Sequence, residues 1–327
     1  MRWGILATGG IAVRMVDTLQ ANTRQIIAAV GSRSLERAEQ FAREKGVPKA
    51  YGSYEQLVAD PDVDIIYVAS PHSEHAAHAL LALNAGKPTL VEKAFTRNRA
   101  EAESVVAAAR ANHVPVMEAI MTRHAPVMDV VAQLIDNGDL GEVDTILADH
   151  GQNLTHVPRL VRPDLAGGAL LDLGIYCVQL AVFLCGLPGK VVASGALTAA
   201  GVDAHESIAL SGFPRLPTVL AAMHTTMLSE TPTVACIAGS DARVELGNPF
   251  TTGNVALRYV TRDEQVLCQP EPPITGSGAL CFEAAHFAGL VADGALDSPV
   301  MPADESVAIM GVLDDIRAQL GMKYPGE

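Results

Sequence analysis

Arg2-Trp3-Gly4-Ile5-Leu6-Ala7-Thr8-Gly9-Gly10-Ile11-Ala12 decides the fold. Arg2 to Leu6 reads as a short buried strand, and Ala7 to Ala12 as a tight turn opening a helix that runs on through Val13, Val16 and Leu19. The N–H groups of a helix N-terminus point out of such a turn, and together with the helix dipole they favour a diphosphate. The dinucleotide fingerprint Gly-x-Gly-x-x-Gly/Ala stands here as Ala-x-Gly-x-x-Ala. Gly9 is kept where backbone must approach a pyrophosphate, Ala12 permits close helix-to-strand packing, and Ala7 is the departure. Taken alone, the stretch fits a dinucleotide site or an ordinary strand-to-helix turn of an α/β protein.

Working outward, residues 25–30 form a second apolar strand ending in Gly31-Ser32-Arg33-Ser34, and a polar helix follows until Gly46 and Pro48 stop it. An NAD-binding chain places an acidic residue at the end of this strand to hold the adenosine 2′-hydroxyl. Ser32 and Arg33 instead offer a hydroxyl and a cation, which suit the 2′-phosphate of NADP; a solvated basic loop is the other reading. Strands at 63–69, 88–91 and 114–118 alternate with helices at 72–85 and 97–111. Such alternation implies right-handed crossovers and one parallel sheet. Residues 1–120 are therefore expected to form a doubly wound Rossmann domain. Beyond them come a helix at 126–137, a strand near 143–149, a glycine-flanked helix from about Gly168 to Cys185, and several β-rich runs from Val191 to Gln269. Two closing helices follow. Residues 121–327 are read as an α+β domain with a large, mostly antiparallel open sheet for substrate binding and oligomerisation, its C-terminal helix allowed to pack back on the first domain.

The 327 residues can bury an ample core, and 49% hydrophobic with 18% charged residues describes a globular chain. A net charge of −14 argues against nucleic acid or an anionic membrane surface as a partner. Five widely spaced cysteines with no Cys-x-x-Cys pair read as reduced thiols, and the chain enters its first strand at once, so a cytoplasmic location is expected. The longest apolar run, 173–184, is short for a membrane span and contains Gln179; it is read as a buried helix.

Glu92-Lys93-Ala94 follows an apolar strand at the carboxyl end of the sheet, where open α/β sheets place ligands. A lysine there can stabilise an alkoxide, and desolvation lowers its pKa; a surface lysine on a loop is the plainer reading. Asp172 and Tyr176 lie four apart in an apolar segment, on one face of a helix, and a carboxylate so embedded needs a partner or a purpose. Tyr176 can act as acid/base if a cation such as Lys93 lowers its pKa, and a structural Asp–Tyr hydrogen bond is the alternative. His72, His75 and His78 recur every third residue, but side chains stepped in this way do not converge on one ion, so no metal is expected. His72 and His75 are instead expected on the nicotinamide side. His150 and His156, with Asn153 and Arg159, offer substrate contacts or plain surface polarity.

With these pieces assembled, the chain resembles the Gfo/Idh/MocA family of NAD(P)-dependent oxidoreductases along essentially its full length. Within the family it is most similar to the branch of dimeric dihydrodiol dehydrogenases and NADP-linked D-xylose dehydrogenases. The resemblance rests on Trp3 to Gly9, Gly31-Ser32-Arg33, Ser70-Pro71-His72-Ser73-Glu74-His75, Glu92-Lys93, Met117-Glu118-Ala119 and Gly167 to Tyr176. It implies that Lys93 is the lysine of the Glu-Lys-Pro motif, Asp172 the substrate-facing aspartate, and Tyr176 the branch's catalytic tyrosine where most of the family has histidine. Ala94 replaces the motif's proline, which is expected to loosen the loop holding Lys93. Cofactor contacts are expected from Thr8, Gly9, Gly10, Ile11, Ala12, Ser32, Arg33, Arg37, Ser70, Pro71, His72, His75, Glu92 and Lys93, with NADP as the cofactor and NAD as the alternative. Substrate contacts are expected from Arg123, Asn153 and Arg159. The implied reaction moves hydride between nicotinamide and a sugar, polyol or dihydrodiol, in a homodimer or higher oligomer. A non-catalytic NAD(P)-binding sensor on the same fold is the rival reading.

Overall fold

β1 (Arg2–Leu6) has no exposed residue from Trp3 onward, because a parallel strand covered by helices on both faces has no solvent side to serve. In the computed structural model, which describes residues 1–252, 255–269, 274 and 276–327, the chain then alternates as expected. α1 (Gly10–Asn22), β2 (Ile26–Gly31), α2 (Leu35–Lys45), β3 (Lys49–Tyr51), α3 (Tyr54–Val58), β4 (Ile65–Val68), α4 (His75–Asn84), β5 (Thr89–Glu92), α5 (Arg99–Asn112) and β6 (Val116–Ala119) follow in turn. Local chemistry sets the boundaries. The Ser34 hydroxyl accepts from the Arg37 amide at the start of α2, Gly46 ends that helix at φ 67°, and Asn98 caps α5 through the Glu101 amide at 2.9 Å. All six strands are parallel, in the order β3-β2-β1-β4-β5-β6. The order reverses between β1 and β4, so the loops after these two strands part and leave the crevice where open α/β sheets hold ligands.

The second unit is built around β7 (Val143–Gly151), reached through α6 (Pro126–Asp136). A π-helical turn, Leu170–Gly174, leads into α7 (Ile175–Cys185), and seven further strands follow. They are β8 (Lys190–Leu197), β9 (Asp203–Ser211), β10 (Leu220–Thr226), β11 (Ala235–Gly239), β12 (Ala242–Leu246), β13 (Leu257–Thr261) and β14 (Gln265–Cys268). Their order is β14-β13-β12-β11-β7-β10-β9-β8. Every neighbouring pair is antiparallel except β7 with β10. α7 is apolar all round, and it packs against β7 and β10. The segment Pro163–Cys185 has the length and composition to cross a membrane, yet 89% of its most apolar window is buried inside the protein. The opposite sheet face keeps Leu147, Val192, Leu220 and Leu267 about half exposed.

The last two helices, α8 (Leu280–Asp293) and α9 (Ala303–Gln319), are not simply an extension of the second domain. Met1–Ile120 forms one compact unit with Ser277–Met310, and Met121–Gly276 forms the other with Gly311–Glu327. The physical reason is apolar: α8 packs on α1, Phe287 meets Trp3 with ring centroids 6.5 Å apart, and both rings are fully buried. Burial of this kind is worth roughly 1.5–3 kcal/mol per large side chain. Thr18 adds a hydrogen bond to the Gly278 carbonyl at 3.0 Å.

Candidate active site

The turn after β1 leaves an open cradle. Val13 is the first residue of α1 whose amide returns to the turn, bonding the Gly9 carbonyl at 3.1 Å, so the amides of Gly10, Ile11 and Ala12 have no partner within the helix. No acidic side chain stands in the first turn. Gly9 has φ −76°, and a Cβ there would meet only the Ala69 carbonyl oxygen, at 3.9 Å; at Gly10 it would meet nothing within 4 Å. Neither glycine is demanded by its backbone angles or by neighbouring protein atoms. The space in front of them suits the close approach of a diphosphate to the backbone. Ala12 is fully buried against the sheet, as the fingerprint requires. Ala7 adopts φ 85°, a conformation that suits glycine and costs an alanine roughly 1–2 kcal/mol, and its amide is tied to the Gly31 carbonyl at 3.0 Å. Thr8 is half-buried in the same turn, and Ser70 and Pro71 follow β4 on the other side of the strand-order reversal.

At the end of β2, Ser32 is buried and its hydroxyl accepts from the Ser34 amide at 3.3 Å. Arg33 and Arg37 are both exposed, and neither has an ion-pair partner among the described residues. The loop and first helical turn after β2 thus present two guanidinium groups without an ion-pair partner, with Glu36 between them in sequence.

Lys93 is half-buried in the loop leaving β5, and the Lys93–Ala94 peptide is cis. Two contacts fasten the loop at Ala94 and Phe95. The Ala94 carbonyl lies 2.8 Å from His75 Nδ1, and the Phe95 amide donates to Glu118 Oε1 at 3.0 Å. Ala94 and Phe95 are fully buried, so packing and these two contacts hold the loop without a proline ring. His75 Nε2 reaches the Ser70 carbonyl at 2.8 Å, and burial pushes the imidazole pKa down to about 4. His75, 1% exposed, thus bridges the loops after β4 and β5. His72 is 5% exposed, with its ring edge-on to His75 at 5.5 Å. Glu92 is buried and accepts a hydrogen bond from the Tyr67 hydroxyl. Among the described residues no cluster of His, Cys, Asp or Glu is arranged to hold a metal ion.

In the second unit, Gly167 and Gly168 bring the chain tightly past its own backbone. A Cβ on Gly167 would lie 2.5 Å from the Leu160 carbonyl oxygen, and one on Gly168, at φ 117°, would lie 2.0 Å from Asp203 Oδ1. The expected α-helix is therefore preceded by the π-turn 170–174, which carries Asp172, and Tyr176 stands in the first turn of α7. Short π segments widen the backbone spacing and recur at functional sites. Asp172 and Tyr176 are 8% and 9% exposed. Arg159 Nη2 donates to Asp172 Oδ1 at 2.9 Å while its own side chain stays 43% exposed. The His150 ring stands edge-on to Tyr176 with centroids 5.4 Å apart. His150 Nδ1 lies 3.1 Å from the Leu173 carbonyl, and the Gln152 amide reaches Nε2 at 3.0 Å.

Residues 1–120 match a family model described as oxidoreductase family, NAD-binding Rossmann fold, and residues 128–245 match the Gfo/Idh/MocA C-terminal domain. Trans-1,2-dihydrobenzene-1,2-diol dehydrogenase of Homo sapiens is 35% identical over 337 residues, covering 99% of this chain and 98% of that protein. The enzyme of the same name from Oryctolagus cuniculus is 37% identical over 330 residues, covering 98% and 99%. The chain belongs to the Gfo/Idh/MocA family of oxidoreductases. KijD10, a 3-ketoreductase from Actinomadura kijaniata in complex with NADP and TDP-benzene, matches with a TM-score of 0.84 at 26% identity, over 98% of this chain and 97% of that one. As a Gfo/Idh/MocA member the chain is an NAD(P)-dependent dehydrogenase or reductase with an NAD(P)-binding Rossmann fold. The open cradle at Gly9 and Gly10 fits that cofactor.

Within this Gfo/Idh/MocA chain the structure sorts the remaining expected contacts. Arg159 and Asp172 come together, a pairing across 13 residues that no spacing rule announces. Asn153 is exposed; its amide donates to Glu230 at 2.9 Å and its side-chain oxygen accepts from Thr155 at 3.0 Å. Arg123 is 4% exposed, its Nε donates to Gln179 at 2.8 Å, and its guanidinium lies over the Phe183 ring. These contacts place it in the interior of the second unit. His156 is exposed.

Proposed function

We propose that this chain is an NADP(H)-linked oxidoreductase that moves hydride between nicotinamide and a hydroxyl or carbonyl carbon of a dihydrodiol, sugar or polyol. The observation that carries the proposal is the pairing of a hydrogen-bonded carboxylate and a phenol on one buried segment: Asp172, held by Arg159 at 2.9 Å, and Tyr176 four residues on. The bound nicotinamide supplies the hydride acceptor or donor. Tyr176 takes the hydroxyl proton as the carbonyl forms and returns it in the reverse direction. Asp172 orients that hydroxyl, Lys93 supplies positive charge to the same reaction, and Arg159 and Asn153 bind further oxygens of the substrate. The relatives named for trans-dihydrodiol dehydrogenation, at 35–37% identity over nearly the full length, support the substrate class. Turnover of NADP⁺ with dihydrodiols or aldoses, lost in Tyr176→Phe, tests the assignment.

The preference for NADP rests on Arg33 and Arg37. Each gives a charge-assisted hydrogen bond to a 2′-phosphate worth roughly 1.5–3 kcal/mol. Replacing both with serine is expected to raise KM for NADP⁺ by at least about a hundredfold and leave KM for NAD⁺ within about twofold. Equal effects on the two cofactors would show that the arginines do not read the 2′-phosphate.

We assign the exposed face of the eight-stranded sheet to a second copy of the chain. Leu147, Val192, Val234 and Leu267 surround a mostly apolar hollow of about 880 Å³ there, and apolar side chains gathered on one exposed sheet face suit contact with another protein surface. Sedimentation should give a homodimer, and Leu147→Asp, at a site already 50% exposed, should shift it to monomer with little change in Tm. A monomeric wild type would overturn the assignment. We also place the protein in the cytoplasm: its cysteines are free thiols, and burial pushes the Cys185 thiol up to about 12, keeping it protonated and inert.

A further inference from the structure

The segment bearing Asp172 and Tyr176 is held from two distant parts of the chain. Tyr324, near the end of the chain, is 2% exposed and its hydroxyl donates to the Gly167 carbonyl at 2.8 Å. Asp203, the first residue of β9, is fully buried and its Oδ2 accepts from the Leu170 amide at 2.5 Å. One bond fixes the chain just before Gly168, and the other fixes the N-terminus of the π-turn just after it.

Tyr324 is itself anchored. Arg317 on α9 lies over its ring, with the guanidinium carbon 4.6 Å from the centroid. Glu327 Oε2 accepts from both Arg317 Nη1, at 2.7 Å, and the Tyr324 amide, at 2.9 Å. Burial and the nearby Asp203 push the Tyr324 phenol well above its ordinary pKa, so it stays a donor. Burial also pushes the Asp203 carboxyl up to about 6, opposed by the Leu170 and Ala169 amides that hydrogen-bond it. Gly168 admits no side chain because Asp203 stands where its Cβ would be.

Building on the dehydrogenase reading above, we infer that Tyr324 and Asp203 are positioning residues that clamp residues 167–170 and so set the register in which the π-turn presents Asp172 and Tyr176. The conformation is not one a helix adopts unaided: the glycine pair and the π-turn are tight features that need outside hydrogen bonds to hold one geometry. A clamp of this kind changes turnover rather than cofactor affinity, because misplacement of reacting groups by about an ångström costs up to roughly a hundredfold in rate.

The test is Tyr324→Phe in the full-length protein, which removes one oxygen and keeps the ring between Arg317 and its neighbours. Turnover is measured with NADP⁺ and whichever dihydrodiol or aldose the wild type uses best, alongside amide hydrogen exchange. The expected result is a kcat lowered by about tenfold, KM for both substrates within about twofold, and exchange at amides 168–174 faster by at least about tenfold while β1 and β4 stay protected. Glu327→Ala, which releases the anchor and leaves Tyr324 intact, should move the same quantities in the same direction. A wild-type kcat in Tyr324→Phe, or a loss no larger than the unfolded fraction explains, would overturn the inference. Should the wild type turn over no member of the panel, the dehydrogenase reading fails by itself. Exchange then decides the clamp: unchanged protection at 168–174 in both variants overturns it, and lost protection sustains it.

Discussion

Tyr176→Phe is expected to lower kcat for hydride transfer by about a thousandfold while leaving NADPH affinity within about twofold. The substitution removes only the phenolic oxygen. The ring stays edge-on to His150, and α7 loses none of the apolar surface that buries it. The apolar packing of α7 and the cradle at Gly9 and Gly10 are therefore untouched. Under the proposed mechanism the variant loses the acid/base for the leaving proton, and general acid/base catalysis is worth roughly 10²–10⁴ in rate. Binding titrations with NADPH and steady-state kinetics in both directions check the two halves of this expectation. A non-catalytic sensor on the same fold has no use for the hydroxyl, so an unaltered turnover in the variant would abandon Tyr176 as the acid/base.

Gly168→Ala has the second largest expected effect, on stability. At φ 117° an L-residue is strained, and the new methyl would sit 2.0 Å from Asp203 Oδ1, a fully buried carboxyl that already takes the Leu170 amide. Neither partner can retreat cheaply, since moving Asp203 frees a buried amide and moving the backbone breaks the Tyr324 bond to Gly167. Strain and the lost hydrogen bond together cost about 3–5 kcal/mol. For a unit of this size each kcal/mol lowers Tm by roughly 2–4 °C, so a fall of about 10 °C is expected in a thermal melt. A Tm within about 2 °C of wild type would mean that the backbone passes Asp203 with more room than the geometry shows.

The Rossmann unit was legible because each of its signals is local. Strand β1, the small-residue turn and the apolar stripe of α1 are adjacent in sequence, and Ser34 and Gly46 bracket the helix between them. Asp172 and Tyr176 were legible for a different reason: polar groups in an apolar run stand out against their neighbours. Long-range partners gave no such signal. Nothing near Arg159 names Asp172 as its acceptor, and Asp203 and Tyr324 are single residues in ordinary surroundings whose importance comes from atoms 33 and 157 positions away. The π-turn escaped because its composition is that of a good α-helix, and its extra backbone spacing follows from tertiary constraints. The return of 277–310 to the first unit depends on Phe287 finding Trp3 across the chain. The parallel pairing of β7 with β10 likewise joins strands whose order along the chain suggests only hairpins.

The most direct test of the central claim is a label transfer. Wild-type protein is incubated with NADP⁺ and a panel of trans-dihydrodiols, aldoses and polyols deuterated at the carbinol carbon, and the nicotinamide ring of the product is examined by mass spectrometry. Hydride transfer predicts deuterium in the reduced cofactor, in amounts matching the carbonyl product formed and appearing about a thousandfold more slowly in Tyr176→Phe. Tight cofactor binding with no label transferred from any member of the panel would contradict it, and would leave a nucleotide-binding protein whose Asp172 and Tyr176 serve structure alone.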